Sequence, residues 1–187
     1  MAISKIISES LDLTDDYAFT GTITGAGGIQ NAQTFYNSTN KDASSGVGTV
    51  IDSTFLPLDT TGLGTIGSSS NVTVSSGVFS FATTGYYLIQ ARMNFYIQST
   101  GDTRYILGTI QATTNNSSYS DVAQGSTNMA SITSNNDNAG VFVSYILDVT
   151  DTTNVKFRLK MQSEATTLKT ENQTKGFQVQ IIRLADT

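Results

Sequence analysis

The sequence has no cysteine, no histidine and no tryptophan, and its single proline is Pro57. Without cysteine there is neither a disulfide framework nor a thiolate metal site. Without histidine and cysteine there is no Ser-His-Asp triad, no Cys-His pair and no ordinary zinc ligand set. Charged residues are scarce at 13%, about half the usual share. The Met1–Ile7 segment lacks the apolar run of a secretory signal, and no stretch reaches the roughly 20 apolar residues of a membrane span. The expectation is that the chain does not insert in a membrane. The formal net charge of −5 argues against nucleic acid as a partner, which calls for a concentrated basic footprint.

Serine, threonine, asparagine and glycine fill the space that charge leaves. Threonine favours strands; the other three favour turns. The expectation is many short strands joined by polar loops, in one domain plus an extension, within 187 residues. The Asn-x-Ser/Thr matches at Asn37, Asn71, Asn116 and Asn172 are chance products of this composition. Charge is uneven. Before Arg92 the only basic residues are Lys5 and Lys41, against Glu9, Asp12, Asp15, Asp16, Asp42, Asp52 and Asp59. Solubility explains this asymmetry; an acidic foot docking on a basic surface is the sharper alternative.

Residues 1–45 read as an N-terminal arm, with one short strand near Phe19–Thr24, a break at Gly25–Gly28 and a polar stretch from Gln30. Such a segment buries too little surface to fold alone. Residues 46–187 read as the domain. In Tyr86–Ile97 the residues Tyr87, Ile89, Ala91, Met93, Phe95 and Ile97 share one face, and Tyr86, Leu88, Gln90, Arg92, Asn94 and Tyr96 the other. Period two over twelve residues is a strand. Val155, Phe157, Leu159 and Met161 alternate with Lys156, Arg158 and Lys160 in the same way, which fits a strand with one wet face. Further strands are expected at 50–57, 71–74, 78–82, 104–113, 139–149 and 176–184, with Phe79, Phe81, Phe142 and Phe177 in the core. No segment makes an amphipathic helix and no repeat of fixed period appears, so the fold is an all-β antiparallel sandwich or jelly roll.

The chemistry-bearing residues form no catalytic constellation. Asp15-Asp16 is the only adjacent carboxylate pair, and it lies in the arm. Asn135–Asn138 and the set Asp148, Asp151 and Asn154 are oxygen clusters of a kind calcium accepts, yet neither follows a calcium-loop pattern and both suit ordinary turns. Gly25–Gly28 has no following Lys-Ser/Thr and is not a phosphate loop. The expectation is a non-enzyme with no cofactor and no metal.

The block Gly77-Val78-Phe79-Ser80-Phe81-Ala82-Thr83-Thr84-Gly85-Tyr86-Tyr87 resembles the central signature of the complement globular-head and tumour-necrosis-factor superfamily. That signature reads Gly-x-Phe, a turn that often carries proline, then Gly-x-Tyr and an apolar strand. Here Ala82 and Thr84 stand where prolines are frequent. Leu88–Ala91, Val141–Leu147 with Asp151 and Val155, and Gly176–Leu184 extend the resemblance over residues 50 to 184. It implies a jelly roll of about ten strands that assembles as a homotrimer. The strand face opposite the core then supplies trimer-interface candidates, Tyr86, Leu88 and Tyr96, with Tyr105 and Leu107 on the next strand.

The N-terminus is similar to the opening of virion fibre and appendage proteins of tailed phages, on Met1–Ile6, Asp12–Asp15 and Phe19–Ile23. This resemblance implies particle anchoring through Ile3, Ile6, Ile7, Leu11, Leu13, Phe19 and Ile23. The expected role is a capsid decoration or short head-fibre protein, assembled in the host cytoplasm and displayed on the virion surface, with capsid or tail proteins as partners. A tail-fibre tip that meets a host glycan or protein, and a soluble lectin-like module, are the alternatives.

Overall fold

The computed structural model describes residues 29, 31–44, 46–58, 64–97, 101–132, 137–164, 168–172 and 176–187. Thirteen strands run through them: β1 (Asn31–Asn37), β2 (Thr49–Val50), β3 (Phe55–Pro57), β4 (Thr65–Ile66), β5 (Val72–Ser75), β6 (Val78–Phe81), β7 (Gly85–Ile97), β8 (Gly101–Thr113), β9 (Ser120–Ile132), β10 (Asp137–Val149), β11 (Lys156–Ser163), β12 (Leu168–Thr170) and β13 (Gln178–Ala185). They form two antiparallel sheets. One runs β10-β7-β13-β1-β3, with β12 on β7 and β4 on β1; the other runs β5-β6-β11-β8-β9, with β2 on β11. The all-β sandwich expected from the alternation is the architecture observed, without a helix among the described residues.

The superfamily-like block makes physical sense in this frame. Ser76 and Gly77 both have positive φ, 48° and 73°, and join β5 to β6 as a two-residue hairpin turn of the primed type. Phe79 and Phe81 then enter the core. Phe79 stacks on Phe157 at 4.5 Å and meets Phe35 edge-on at 5.5 Å; Phe81 packs on Tyr87 at 4.4 Å. Gly85, at φ 145°, lets the start of β7 pass Ala185, whose carbonyl oxygen lies 2.5 Å from where a Cβ would stand. Buried Tyr87 is satisfied at its hydroxyl, which donates to the Thr83 carbonyl at 2.9 Å. Each fixed residue of the block thus closes a turn, fills the core or lets two backbones approach.

Three expectations need correction. Residues 31–44 do not belong to an arm. Strand β1 lies inside the seven-stranded sheet, between β13 and the β3 and β4 edge, and carries Phe35 into the core. Its inward positions Asn31, Gln33 and Asn37 are amides. Gln33 donates to the Ser69 carbonyl and accepts from the Val72 amide; Asn37 donates to the Thr170 hydroxyl and the Glu171 carbonyl and accepts from the Ser53 hydroxyl. Paired amides can be buried where bare ones would not be. Second, 50–57 is two short strands. The chain leaves β11 after Val50, buries Ile51 and joins β1 at Phe55. Third, Phe142 is not in the core: it is 61% exposed. It shares its side of β10 with Ser144 and Asp148, while Val141, Val143, Leu147 and Val149 face inward. Strand β8 follows β7 in the chain but belongs to the opposite sheet.

Candidate functional site

The two outer faces of the sandwich differ in chemistry. On the six-stranded sheet the outward side chains bind one another. Lys160 reaches both carboxylate oxygens of Asp121, at 2.6 and 2.8 Å. Gln111 donates to Asp121 at 2.7 Å and accepts from the Arg158 Nε at 2.7 Å, and that guanidinium lies 4.0 Å over the Tyr119 ring. Burial raises the Asp121 carboxyl, but the hydrogen bonds from Lys160 and Gln111 and the nearby cations outweigh it and hold the group below its ordinary value. Of the basic row read from the sequence, Lys160 is neutralised by Asp121 and Arg158 is held by Gln111 and Tyr119.

The seven-stranded sheet presents the opposite. Strand register aligns its outward residues in rows. One row crosses five strands as Ile66, Ala32, Ile182, Leu88 and Ile146. At about 4.8 Å per strand this apolar row spans about 19 Å. Ile66 and Ile146 are 53% and 55% exposed. Two residues along lies a polar row of Thr34, Gln180, Gln90 and Ser144, and two further a mixed one of Leu56, Tyr36, Gln178, Arg92 and Phe142. Gln90, Arg92, Phe142, Gln178 and Gln180 line an open cavity of about 220 Å³. On the other side of the apolar row, Tyr86 is 41% exposed opposite Asp148. An exposed apolar strip of this extent, rimmed by amides, is a candidate contact surface.

The sequence candidates divide across this geometry. Tyr86, Leu88 and Tyr96 stand on the outer face of β7. Tyr86 and Leu88 join the strip, whereas Tyr96 is engaged within the chain, its hydroxyl accepting from the Asn40 Nδ2 at 2.6 Å. Tyr105 and Leu107 lie on β8 in the other sheet, half-buried and apart from the first three. Ile146, Ile182 and Phe142 belong to the face and were missed, although the parity of Phe142 with Ser144 and Asp148 pointed outward. Ile3, Ile6, Ile7, Leu11, Leu13, Phe19 and Ile23 lie outside the described residues, as do Asp15, Asp16, Asn135 and Asn136. Asp151 is taken up by its own turn. It accepts from the Asn154 side chain at 2.6 Å and from the Thr153 amide at 2.8 Å, which hold its carboxyl below the ordinary value.

Two sheets in this strand order, with the Gly-x-Phe hairpin feeding the long β7, make the fold a tumour-necrosis-factor-like jelly roll. Solved structures share it. Murine APRIL superposes with a TM-score of 0.57 at 8% identity over 82% of this chain and 98% of that one. The Eiger TNF of S. frugiperda does so at 0.57 and 16% identity, over 83% of this chain and 93% of that one. No family model matches the sequence, and no curated protein matches it.

Proposed function

We propose that the chain is a non-enzymatic structural protein of a tailed-phage virion, a homotrimeric jelly roll held on the particle by the residues ahead of its domain. The observation that carries the oligomer is the uncharged apolar strip on the seven-stranded sheet. A monomer would leave Leu88, Ile146 and Ile182 facing water beside amides and almost no charge. Three copies that cover this face remove the strip from solvent, and the tumour-necrosis-factor-like fold supports a ring of three. The virion role draws on the N-terminal resemblance to phage fibre and appendage proteins. The absence of histidine and cysteine, with most described carboxylates held in ion pairs, supports a structural rather than a catalytic role. Decoration of the capsid is the preferred placement, because the sequence shows no coiled-coil heptads or repeat pattern of the kind that builds a shaft.

Immunogold labelling of purified particles from the producing culture, with antibody against the folded domain, tests this reading. Label distributed over the capsid is the expected result. Label confined to the tail tip assigns the receptor-binding role instead, and particles free of the protein overturn the virion assignment.

A further inference from the structure

The outer face of the seven-stranded sheet carries so little charge that its two unpaired ions near the cavity define a problem. Arg92 is exposed on β7, between Phe142 of β10 and Gln178 of β13. Of the four arginines in the chain, Arg104 and Arg183 are ion-paired and Arg158 is held by Gln111 and Tyr119. Arg92 has no ion partner among the described residues. Arg92 lines the cavity with Gln90, Phe142, Gln178 and Gln180. A planar, permanently charged fork of donors in such a place suits a carboxylate. If the face is covered with Arg92 unmatched, an uncompensated charge is buried, which strongly disfavours the contact. A contact that closes over this row must therefore bring an anion.

Glu171 is the carboxylate at the right level. It follows β12 directly. Its backbone amide donates to the Asn94 carbonyl at 2.9 Å and its Oε2 accepts from the Asn94 Nδ2 at 3.2 Å. No cation lies within ion-pair distance of it among the described residues. Asn94 is two residues along β7 from Arg92, so the two levels differ by about 7 Å. Within one chain Glu171 and Arg92 are diagonal neighbours, yet Glu171 turns to Asn94 and no ion pair forms between them. Asp42, Asp52, Asp121, Glu164 and Asp186 are already paired with Lys169, Lys41, Lys160, Arg104 and Arg183. Asp148 is opposite Tyr86, six positions from Phe142 on β10, about 20 Å along the strand.

A ring closed by rotation alone brings together residues of like level along its axis. With the axis along the strands, Glu171 lies about 7 Å in level from Arg92 and Asp148 about 20 Å, which favours Glu171 as the carboxylate an adjacent copy would bring. We infer that Arg92 of each copy pairs with Glu171 of the neighbouring copy, so that every cavity on the face is completed by a carboxylate from the next subunit. This inference rests on the trimer reading above. It adds the residue pair that makes the contact head-to-tail and fixes its register.

The test is zero-length cross-linking of an R92K variant, which keeps the charge and supplies an amine. Carbodiimide treatment of the assembled full-length protein is expected to yield covalent trimer, and peptide mapping to find Lys at position 92 joined to Glu171; R92K/E171Q loses that linkage. In parallel, R92E and E171R should each raise the monomer–trimer midpoint concentration by about thirtyfold or more, with recovery in the R92E/E171R double variant. A wild-type trimer whose R92K form links 92 to 171 only within single chains, or not at all, overturns the pairing and leaves the trimer intact. A wild-type chain that sediments as monomer at micromolar concentration removes the trimer reading and this pair with it. Circular dichroism of each variant separates loss of assembly from loss of fold, since Arg92 is exposed and contributes nothing to the core.

Discussion

Gly77 shows how much of the hairpin rests on one residue. A Cβ there would stand 2.1 Å from the Ile51 carbonyl oxygen and 2.8 Å from the Asp52 Cα, at a φ of 73°. Both neighbours are backbone and cannot swing aside. Gly46 has a similar φ of 65° with nothing within 4 Å. Gly46→Ala should therefore lose about 1 kcal/mol for the left-handed backbone alone, and Gly77→Ala about 3 kcal/mol or more, as measured by urea denaturation. Carboxylates give a second residue-level expectation. Asp121, Asp151 and Glu164 titrate below their ordinary values, Glu164 chiefly through its hydrogen bonds from Arg104. Groups depressed in the folded state add stability that is complete above the ordinary carboxylate range. That stability is lost as pH falls through the depressed values. The urea midpoint should drop on acidification below about pH 4, and D121N should flatten the fall. Gly77, Phe79, Phe81, Gly85 and Tyr87 were legible in the sequence, because the superfamily-like spacing singles out two glycines at close backbone approaches and three buried rings. Asn31, Gln33 and Asn37 were not, since an amide reads as surface until the group that pairs with it is known.

The strands recovered from sequence are those whose inward positions are apolar: β5, β6, β7, β8, β10, β11 and β13. Strand β9 escaped because Ser120–Ile132 has few large apolar residues and sits at the edge of its sheet. Close approach, not side-chain bulk, holds it. Gly108 and Gly125 face each other across β8 and β9, and a Cβ on Gly125 would lie 2.8 Å from the Val141 Cγ1 and 2.9 Å from the Phe142 carbonyl oxygen. Strand β1 escaped for its polar inward face, and with it the domain boundary. The consequence is testable by truncation. Removing residues 1–28 should leave a cooperative thermal transition. Removing residues 1–37 takes away β1, its ladders to β13, β3 and β4, and the Phe35 ring that meets Phe79. That shorter chain should lose the transition or fail to accumulate as soluble protein. Cooperative melting of the 38–187 fragment would show that β1 is dispensable and return the boundary to near residue 45.

At the scale of the molecule, the two outer faces make opposite demands. The six-stranded face satisfies itself through Asp121, Lys160, Gln111 and Arg158, so water can cover it at no loss. The seven-stranded face offers the row of Leu88, Ile146 and Ile182 and gains only when something apolar covers it. The sequence exposed half of this distinction. Tyr86 and Leu88 were visible as apolar residues opposite a core face, but Tyr105 and Leu107 looked equivalent because chain order conceals that β8 lies in the other sheet. Mutation can separate the pairs. A trimer that buries the apolar row should enclose more than about 2,000 Å² in total. Aspartate at Tyr86 and Leu88, or at Ile146, would place an unmatched charge within that contact, where it costs several kcal/mol in principle. These variants should sediment as folded monomers at concentrations where the wild type is trimeric. Leu107→Asp sits among polar side chains on the opposite sheet and should leave the trimer unchanged. Should Leu107→Asp dissociate the assembly while Leu88→Asp and Ile146→Asp do not, the contact lies on the six-stranded sheet, and the apolar row must serve some other partner.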